Sequence, residues 1–124
     1  MWLFTKYGFF SVVSAKDDSG QSAECANSMM IRTRLKSHLK LLYKRFPDKL
    51  ATVKAFETPL SDYRFRIIVS KPIWAEIMVE LSEEIDYDNF KESVASFQYE
   101  QSQDYVNSLT DVWLVMQTLQ STKY

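Results

Sequence analysis

The chain has 124 residues, of which 46% are hydrophobic and 15% aromatic, enough for one domain with its own core. Charged residues make up 25% and the net charge is −1, so no overall charge attracts nucleic acid or an acidic membrane surface. No apolar run approaches the length of a membrane span and no basic leader precedes one, so we expect neither a membrane protein nor a secreted one. The single cysteine, Cys25, predicts a reducing, cytoplasmic location.

The first half of the chain predicts two strands and a basic helix. Residues 2–15, rich in aromatic and β-branched side chains, favour a strand that is kinked or bulged at Gly8. A polar loop follows at 16–27, and residues 29–34 predict a second strand that pairs antiparallel with the first. The basic helix ends at Pro47 and has its apolar stripe at Leu35, Leu39, Leu42 and Phe46.

The second half predicts two more strands and three helices. The strands lie at 51–56 and 62–70, with a turn between them. Pro72 falls in the first turn of the next helix, and Asp86 or Asp88 caps the helix after it. The apolar stripes of the three helices are Ile73, Ile77, Leu81 and Ile85; then Phe90, Val94 and Phe97; then Tyr105, Leu109, Val112, Trp113 and Met116.

This order of elements predicts a single α+β domain over residues 1–124. We expect a ferredoxin-like, four-stranded, mainly antiparallel sheet in permuted order with additional C-terminal helices. The N-terminal strand is expected beside 28–34, and 28–34 beside 63–69. Helices cover one face of such a sheet, and its other face is open, covered by the C-terminal helices or used for association. The expected core is Phe10, Val12, Leu39, Phe65, Ile67, Ile77, Leu81, Phe90 and Trp113.

A resemblance rests on five segments: WLFTKYGFFSVV at 2–13, IRTR at 31–34, DYRFRIIV at 62–69, IDYDNFK at 85–91, and Tyr105 with VW at 112–113. On these segments the chain resembles a family of small, functionally uncharacterised bacterial proteins. The resemblance covers nearly the whole chain, and it implies no activity, cofactor or substrate. The chain departs from the family's usual R-A-R-D pattern at Thr33 and Leu35, which removes the acid that would cap the basic helix.

Two pairs of arginines suggest a binding surface. Arg32 and Arg34 lie two residues apart on one strand, as Arg64 and Arg66 do on another, so each pair shares a face of its strand. Because the two strands are expected to be neighbours, four guanidinium groups gather on the face away from the first two helices. Tyr63 is expected on the opposite face. Like charges this close require a counter-charge.

The counter-charge for the arginines has two possible sources. Acidic residues at 83–88, foremost Asp86 and Asp88, can supply it from within the chain. Otherwise an external partner supplies it, such as a phosphate ligand, nucleic acid or an acidic protein, because the guanidinium fork binds carboxylate and phosphate alike. The sequence leaves both sources open.

Other kinds of site are only weakly indicated. The opening KYGFFSVV is similar to an RNA-recognition strand, but Phe9 and Phe10 fall on opposite faces, so core packing is their expected role. The acidic segment 85–91 lacks the spacing of a calcium loop, so we expect no metal. His38 is the only histidine and no nucleophile motif accompanies it, so we expect neither an enzyme nor a cofactor.

The sequence as a whole favours a small cytoplasmic binding module that acts through protein contacts. Its aromatic-rich helices would supply the interface for a protein partner or a homodimer. The alternative is nucleic-acid or phosphate-ligand binding through the arginine-lined sheet face and the basic helix. Residues 32–49 are strongly basic and residues 76–104 strongly acidic, so the two segments are expected to pair within the fold or across a dimer.

Overall fold

The computed structural model describes residues 1–15, 27–98 and 103–123, with the backbone alone at 121–123. The described part of the chain is α+β, as predicted, and holds one open antiparallel sheet with four helices. The elements are β1 Trp2–Thr5, β2 Gly8–Ser14, β3 Ser28–Thr33, α1 Lys36–Arg45, β4 Phe56–Glu57, β5 Phe65–Ser70, α2 Lys71–Glu83, α3 Phe90–Phe97 and α4 Gln103–Lys123.

Two compact units divide the chain. Met1–Asp86 contains the sheet with α1 and α2, and Tyr87–Tyr124 contains α3 and α4. The single domain over 1–124 stays a prediction. The polar loop predicted at 16–27 lies, up to position 26, outside the described residues, and Cys25 lies there with it. Over the described ranges, no helix combines the length and the apolar character needed to cross a membrane.

The N-terminal segment folds into a hairpin, so the predicted single strand kinked at Gly8 is wrong. β1 and β2 pair antiparallel, with Thr5 opposite Gly8 and a two-residue turn between them. The Thr5 hydroxyl oxygen accepts hydrogen bonds from the backbone N–H groups of Tyr7 and Gly8, at 3.1 and 3.2 Å. Gly8 has a φ of 152°, and a Cβ at this position would collide with the His38 side chain. Glycine is therefore required where β2 approaches α1.

The sheet has the strand order β1-β2-β3-β5-β4, with every pair antiparallel. At its centre, Ile31 of β3 lies between Val12 of β2 and Ile67 of β5. This register confirms the two neighbours predicted for residues 28–34. The strand predicted at 51–56 is wrong over residues 51–55, because β4 comprises only Phe56–Glu57, and β1 adds an edge strand that the sequence did not predict.

The core lies between one face of the sheet and the two helices α1 and α2. Phe10, Ile31 and Ile67 of the sheet are fully buried, and Leu42 of α1 and Ile77 of α2 close the core from the other side. Burial of such side chains contributes roughly 1.5–3 kcal/mol each. Of the predicted core, Phe10, Val12, Leu39, Ile67 and Ile77 are buried, Phe65, Leu81 and Phe90 are partly buried, and Trp113 is exposed.

Local signals set the ends of α1 and α2. The Ser70 hydroxyl accepts a hydrogen bond from the Ile73 N–H, and a proline occupies the first turn of α2, as predicted. α1 begins after Leu35, which is exposed and provides no side-chain cap, so Leu35 does not belong to the apolar stripe. Ile85 lies beyond the end of α2 and is exposed, and Trp74, which the stripe omitted, is buried instead.

The cap of α3 differs from the prediction. Asn89, and not Asp86 or Asp88, is the N-cap, and its side-chain oxygen accepts a hydrogen bond from the Glu92 N–H at 3.0 Å. Asparagine serves this position as well as aspartate does, because the amide oxygen satisfies the same free N–H groups of the first turn.

α4 is buried only near its beginning. Tyr105 and Leu109 are buried, whereas Val112, Trp113 and Met116 are 38%, 52% and 57% exposed, so the predicted burial of Trp113 is wrong. The lengths of the two helices explain this difference. α3 has eight residues and α4 has 21, which correspond to about 12 Å and about 32 Å, so α3 can cover only part of α4.

We expect Gly8→Ala to lower the free energy of unfolding by at least about 2 kcal/mol, since alanine is strained at this φ and its methyl group meets His38. Urea unfolding checks the change, with Ser14→Ala at the exposed end of β2 as the matched control. A loss below about 0.5 kcal/mol for Gly8→Ala would contradict the close approach of β2 to α1.

Candidate functional site

The face of the sheet opposite the core carries arginines, as predicted. Because side chains alternate along a strand, Arg32 of β3 points away from the buried Ile31 and lies between Ser11 and Arg66. Arg34 follows β3 and is exposed. We call this surface, made by Trp2, Phe4, Phe9, Ser11, Arg32, Arg34, Tyr63 and Arg66, the arginine face.

Tyr63 organises the arginine face, which contradicts its predicted place on the opposite face. β5 begins only at Phe65, so strand alternation does not extend back to Tyr63. The guanidinium carbons of Arg32 and Arg34 lie 4.7 and 4.9 Å from the centre of the Tyr63 ring, which is itself buried. Each such cation–π contact contributes roughly 0.5–2 kcal/mol. The ring thereby holds two cations near each other.

Arg66 forms hydrogen bonds with neutral partners. Its Nε donates to the Tyr63 carbonyl oxygen at 3.1 Å, and its Nη2 donates to the Ser61 hydroxyl at 3.0 Å. Ser61 in turn donates to the same Tyr63 carbonyl at 2.7 Å. Arg66 therefore fastens the turn before β5, which places the Tyr63 ring against the other arginines.

Arg64 is separate from the other three arginines. It precedes β5 and forms an ion pair with Glu57 of the edge strand β4, with 3.3 Å between Nη2 and Oε2. Both side chains are about half exposed, so this pair contributes little to stability. The four-arginine cluster predicted from the sequence thus contains three members in the structure.

The arginine face has no acidic partner within the described part of the chain. Arg32, Arg34 and Arg66 form no ion pair there, and their hydrogen-bond acceptors are neutral. Asp86 and Asp88 are exposed, and Asp88 belongs to the second unit. Pairing of these two acids with the arginines stays a prediction.

Aromatic rings continue the arginine face toward the edge of the sheet. Phe10 is in the core, and Phe9 lies on the other face, as the alternation predicts. Phe9 stacks on Phe4 with 4.6 Å between ring centres, and the Trp2 ring meets Phe9 edge-on at 6.0 Å. Of Phe9 and Phe10, the expected core role therefore holds for Phe10 alone. Alternation within one strand does not reveal rings that meet across a hairpin.

The row of rings reaches the arginines. The Phe9 ring centre lies 6.2 Å from that of Tyr63, whose ring contacts Arg32 and Arg34. Trp2 is 70% exposed and Phe9 is partly exposed. The face therefore presents π surfaces beside cations, a combination suited to ligands with both a ring and a negative charge.

A second polar cluster joins the ends of α1 and α2. Glu84 Oε2 accepts hydrogen bonds from the Tyr7 hydroxyl at 3.1 Å and from Arg45 Nε at 3.0 Å. Burial, followed by the contact with Glu84, raises the pKa of Tyr7 to about 12. Lys49 of the same unit pairs with Glu76 at 3.4 Å. These contacts support the predicted pairing of residues 32–49 with residues 76–104 within the fold. Their role is to hold α1 and α2 together.

His38 packs under the N-terminal hairpin. It is 4% exposed, and its Nδ1 accepts a hydrogen bond from the Phe9 N–H at 3.2 Å, which requires the neutral imidazole. Burial lowers the pKa of His38 to about 4. The described residues hold no group of three or more metal-ligating side chains that includes it. His38 is therefore a part of the packing between Gly8 and α1.

An open groove of about 330 Å³ runs along α1. Leu39, Tyr43 and Val53 form its floor and Lys36 and Lys40 its rim. The Tyr43 hydroxyl donates to the Val53 carbonyl oxygen at 2.6 Å, so it offers no free donor to a ligand. The groove lacks the convergent polar groups of a small-molecule site. It also lies on the helix side of the sheet, away from the arginine face.

Comparison with protein-family models, curated proteins and solved structures found no match for this chain. Membership of the bacterial family that the sequence resembles therefore stays a prediction, and the function rests on the geometry alone.

We expect Arg66→Ala to cost about 2 kcal/mol of unfolding free energy, because it removes charge-assisted hydrogen bonds to Tyr63 and Ser61. Arg64→Ala, with the same charge change two residues away, should cost less than about 0.5 kcal/mol. Urea unfolding compares the two variants. Equal losses would mean that the turn before β5 does not depend on Arg66.

The free energy of unfolding should also fall as the pH decreases through the range between the unfolded and folded pKa values of His38. Its pKa is about 4 in the folded state and 6.5 in an exposed histidine, so the unfolded state binds the proton first. Between pH 6.5 and pH 4 the protein should lose up to about 3 kcal/mol, and above pH 6.5 this contribution is fully present.

Urea unfolding at pH 7 and pH 5 measures the pH effect. His38→Asn is the control, because its side-chain oxygen can accept from the Phe9 N–H but does not titrate. An equal decrease in both proteins would assign the effect to the carboxylates instead.

Proposed function

We propose that the protein is a binding module that associates with a second copy of itself through α4. The observation that carries this proposal is the apolar surface on the second half of the helix. The large apolar side chains exposed there are Val112, Trp113, Leu114, Val115, Met116 and Leu119. Monomeric soluble proteins rarely expose a contiguous apolar patch of this kind without using it.

The spacing of these residues defines a docking stripe. Val112, Val115, Met116 and Leu119 follow the i, i+3, i+4, i+7 pattern of one helix face. The stripe extends the one that begins at the buried Tyr105, so the helix is patterned for packing beyond the length that α3 can cover.

The lack of charge on the stripe favours a second copy as its occupant. Residues 112–122 contain no charged side chain, so two copies can align there antiparallel without bringing like charges together. A two-fold contact requires a self-complementary surface, and a neutral apolar stripe meets this requirement. A membrane surface is a poorer fit, because Asp104 and Asp111 give the helix acidic charges where lipid-binding helices carry basic ones.

We extend the proposal to the topology of the sheet and to the cellular location of the protein. We infer that β2, β3, β5 and β4 form the permuted ferredoxin-like sheet and that β1 is an addition at its edge. The strand order and the two helices on one face support this inference. A single cysteine in 124 residues supports a cytoplasmic location.

Met116→Glu combined with Leu119→Glu should convert the dimer into a monomer. Two carboxylates on each copy, buried in an apolar contact, cost at least about 3 kcal/mol, so the dimer Kd should rise about a hundredfold or more. Sedimentation velocity over a wide range of protein concentration measures the change.

The control for this variant is Val79→Glu, an equally exposed valine on α2 in the other unit. It should leave the dimer intact. Circular dichroism confirms that the variants remain helical. A wild-type protein that stays monomeric at high concentration would overturn the proposal, and so would equal weakening by the two kinds of variant.

A further inference from the structure

A second surface, independent of α4, has a different chemistry. We propose that the arginine face binds single-stranded nucleic acid, with Arg32 and Arg34 on phosphate and with Trp2 and Phe9 against unpaired bases. This inference does not rest on self-association, because the residues involved belong to the sheet unit alone.

The charges on this face favour an external anion. Arg32 and Arg66 are direct cross-strand partners, and Arg34 shares the Tyr63 ring with Arg32. Like charges opposite each other on a sheet are unfavourable, and over the described ranges no carboxylate offsets these three. A bound anion would offset this repulsion, and the free energy gained would contribute to the affinity of the protein for the anion.

Arg32 and Arg34 retain N–H donors for such an anion. The Arg32 Nη2 donates to the Ser11 hydroxyl at 2.7 Å and the Arg32 Nε is buried without a partner, so only the terminal N–H groups of Arg32 can serve a ligand, whereas Arg34 donates to no described residue. Arg66 is occupied by the turn, so it contributes charge but not contacts. The planar guanidinium group matches a phosphate group with two parallel hydrogen bonds.

The aromatic row separates nucleic acid from other anions. Trp2 is 70% exposed, and Phe9, whose ring has one face covered by Phe4, is partly exposed. The centres of the Trp2 and Phe9 rings lie 6.0 Å apart, and Phe9 lies 6.2 Å from Tyr63 beside the arginines. Inorganic phosphate and acidic side chains have no ring to stack there, whereas a nucleotide chain carries a base beside each phosphate. Base–aromatic stacking contributes about 1–3 kcal/mol per base.

The same geometry favours single strands over duplexes. The rings lie on the surface of a sheet, and the bases of a duplex are stacked on each other and cannot reach them. The basic residues of α1 lie on the helix side of the sheet, so they do not extend this site. With a net charge of −1, the chain offers no general attraction to duplex phosphates that would mask the preference.

Fluorescence anisotropy with labelled single-stranded RNA and DNA dodecamers tests the proposal on the full chain. Binding should weaken with salt, with a log–log slope of about −0.7 for each phosphate neutralised. A duplex of the same sequence should bind at least tenfold more weakly. Quenching of tryptophan emission by the oligonucleotide should disappear in Trp2→Ala.

Two matched pairs of variants locate the site. Arg34→Ala should weaken binding at least tenfold, whereas Arg64→Ala, which removes the same charge from an arginine already paired with Glu57, should change it less than threefold. Trp2→Ala should weaken binding at least fivefold, and Leu60→Ala, at a fully exposed apolar position, should not. All four positions are exposed, so the variants should remain folded, and Arg34→Ala should lose no more stability than its contact with Tyr63 provides.

Four results would overturn the proposal. Equal effects of Arg34→Ala and Arg64→Ala would reduce the binding to general charge, and equal affinity for duplex would remove the role of the rings. Competition by inorganic phosphate as effective as by the oligonucleotide would assign the site to a bare anion. Displacement by an acidic peptide of equal charge would assign it to a protein partner. Met116→Glu with Leu119→Glu should bind the dodecamers as the wild type does, which keeps this test separate from self-association.

Discussion

The register of the central strands is the constraint on which the rest of the structure depends. With Ile31 set between Val12 and Ile67, every second residue enters the core, and the residues between them form the arginine face. A slip by one residue would bury Arg32 and expose Ile31. Burying an unpaired guanidinium costs several kcal/mol, so the charges on one face and the apolar side chains on the other enforce the same register. The arginine face and the core are therefore specified together.

Much of the sheet unit could be predicted from the sequence, because periodicity reports which side of an element is buried. The pairing of residues 28–34 with both neighbours, the presence of α1 and α2 and the common face of Arg32 and Arg66 all follow from alternation and helical spacing. The N-terminal hairpin could not be predicted, since Lys6 and Tyr7 are not turn-forming residues and Gly8 is equally suited to a bulge.

The errors at the candidate site have one physical cause, which is that alternation stops where a strand stops. Tyr63 and Arg64 precede β5, so their side chains follow the turn, and Tyr63 joins the arginines while Arg64 reaches Glu57.

The exposure of Trp113 has a different cause. Its helical spacing is correct, but an apolar stripe indicates only a tendency to pack and not whether a partner is present. Trp113 is exposed because α3 is short, and sequence periodicity does not reveal how much of α4 a neighbouring helix can cover.

The shortness of β4 has a consequence for how the protein behaves at high concentration. An edge strand with free N–H and C=O groups is a template on which another chain can add, and long, flat edges lead to aggregation. Here the edge consists of Phe56–Glu57, and Pro59 follows just after it, so little backbone is available for an incoming strand. The Arg64–Glu57 pair adds charge at the same place. On this side the sheet is therefore protected against open-ended growth by strand addition.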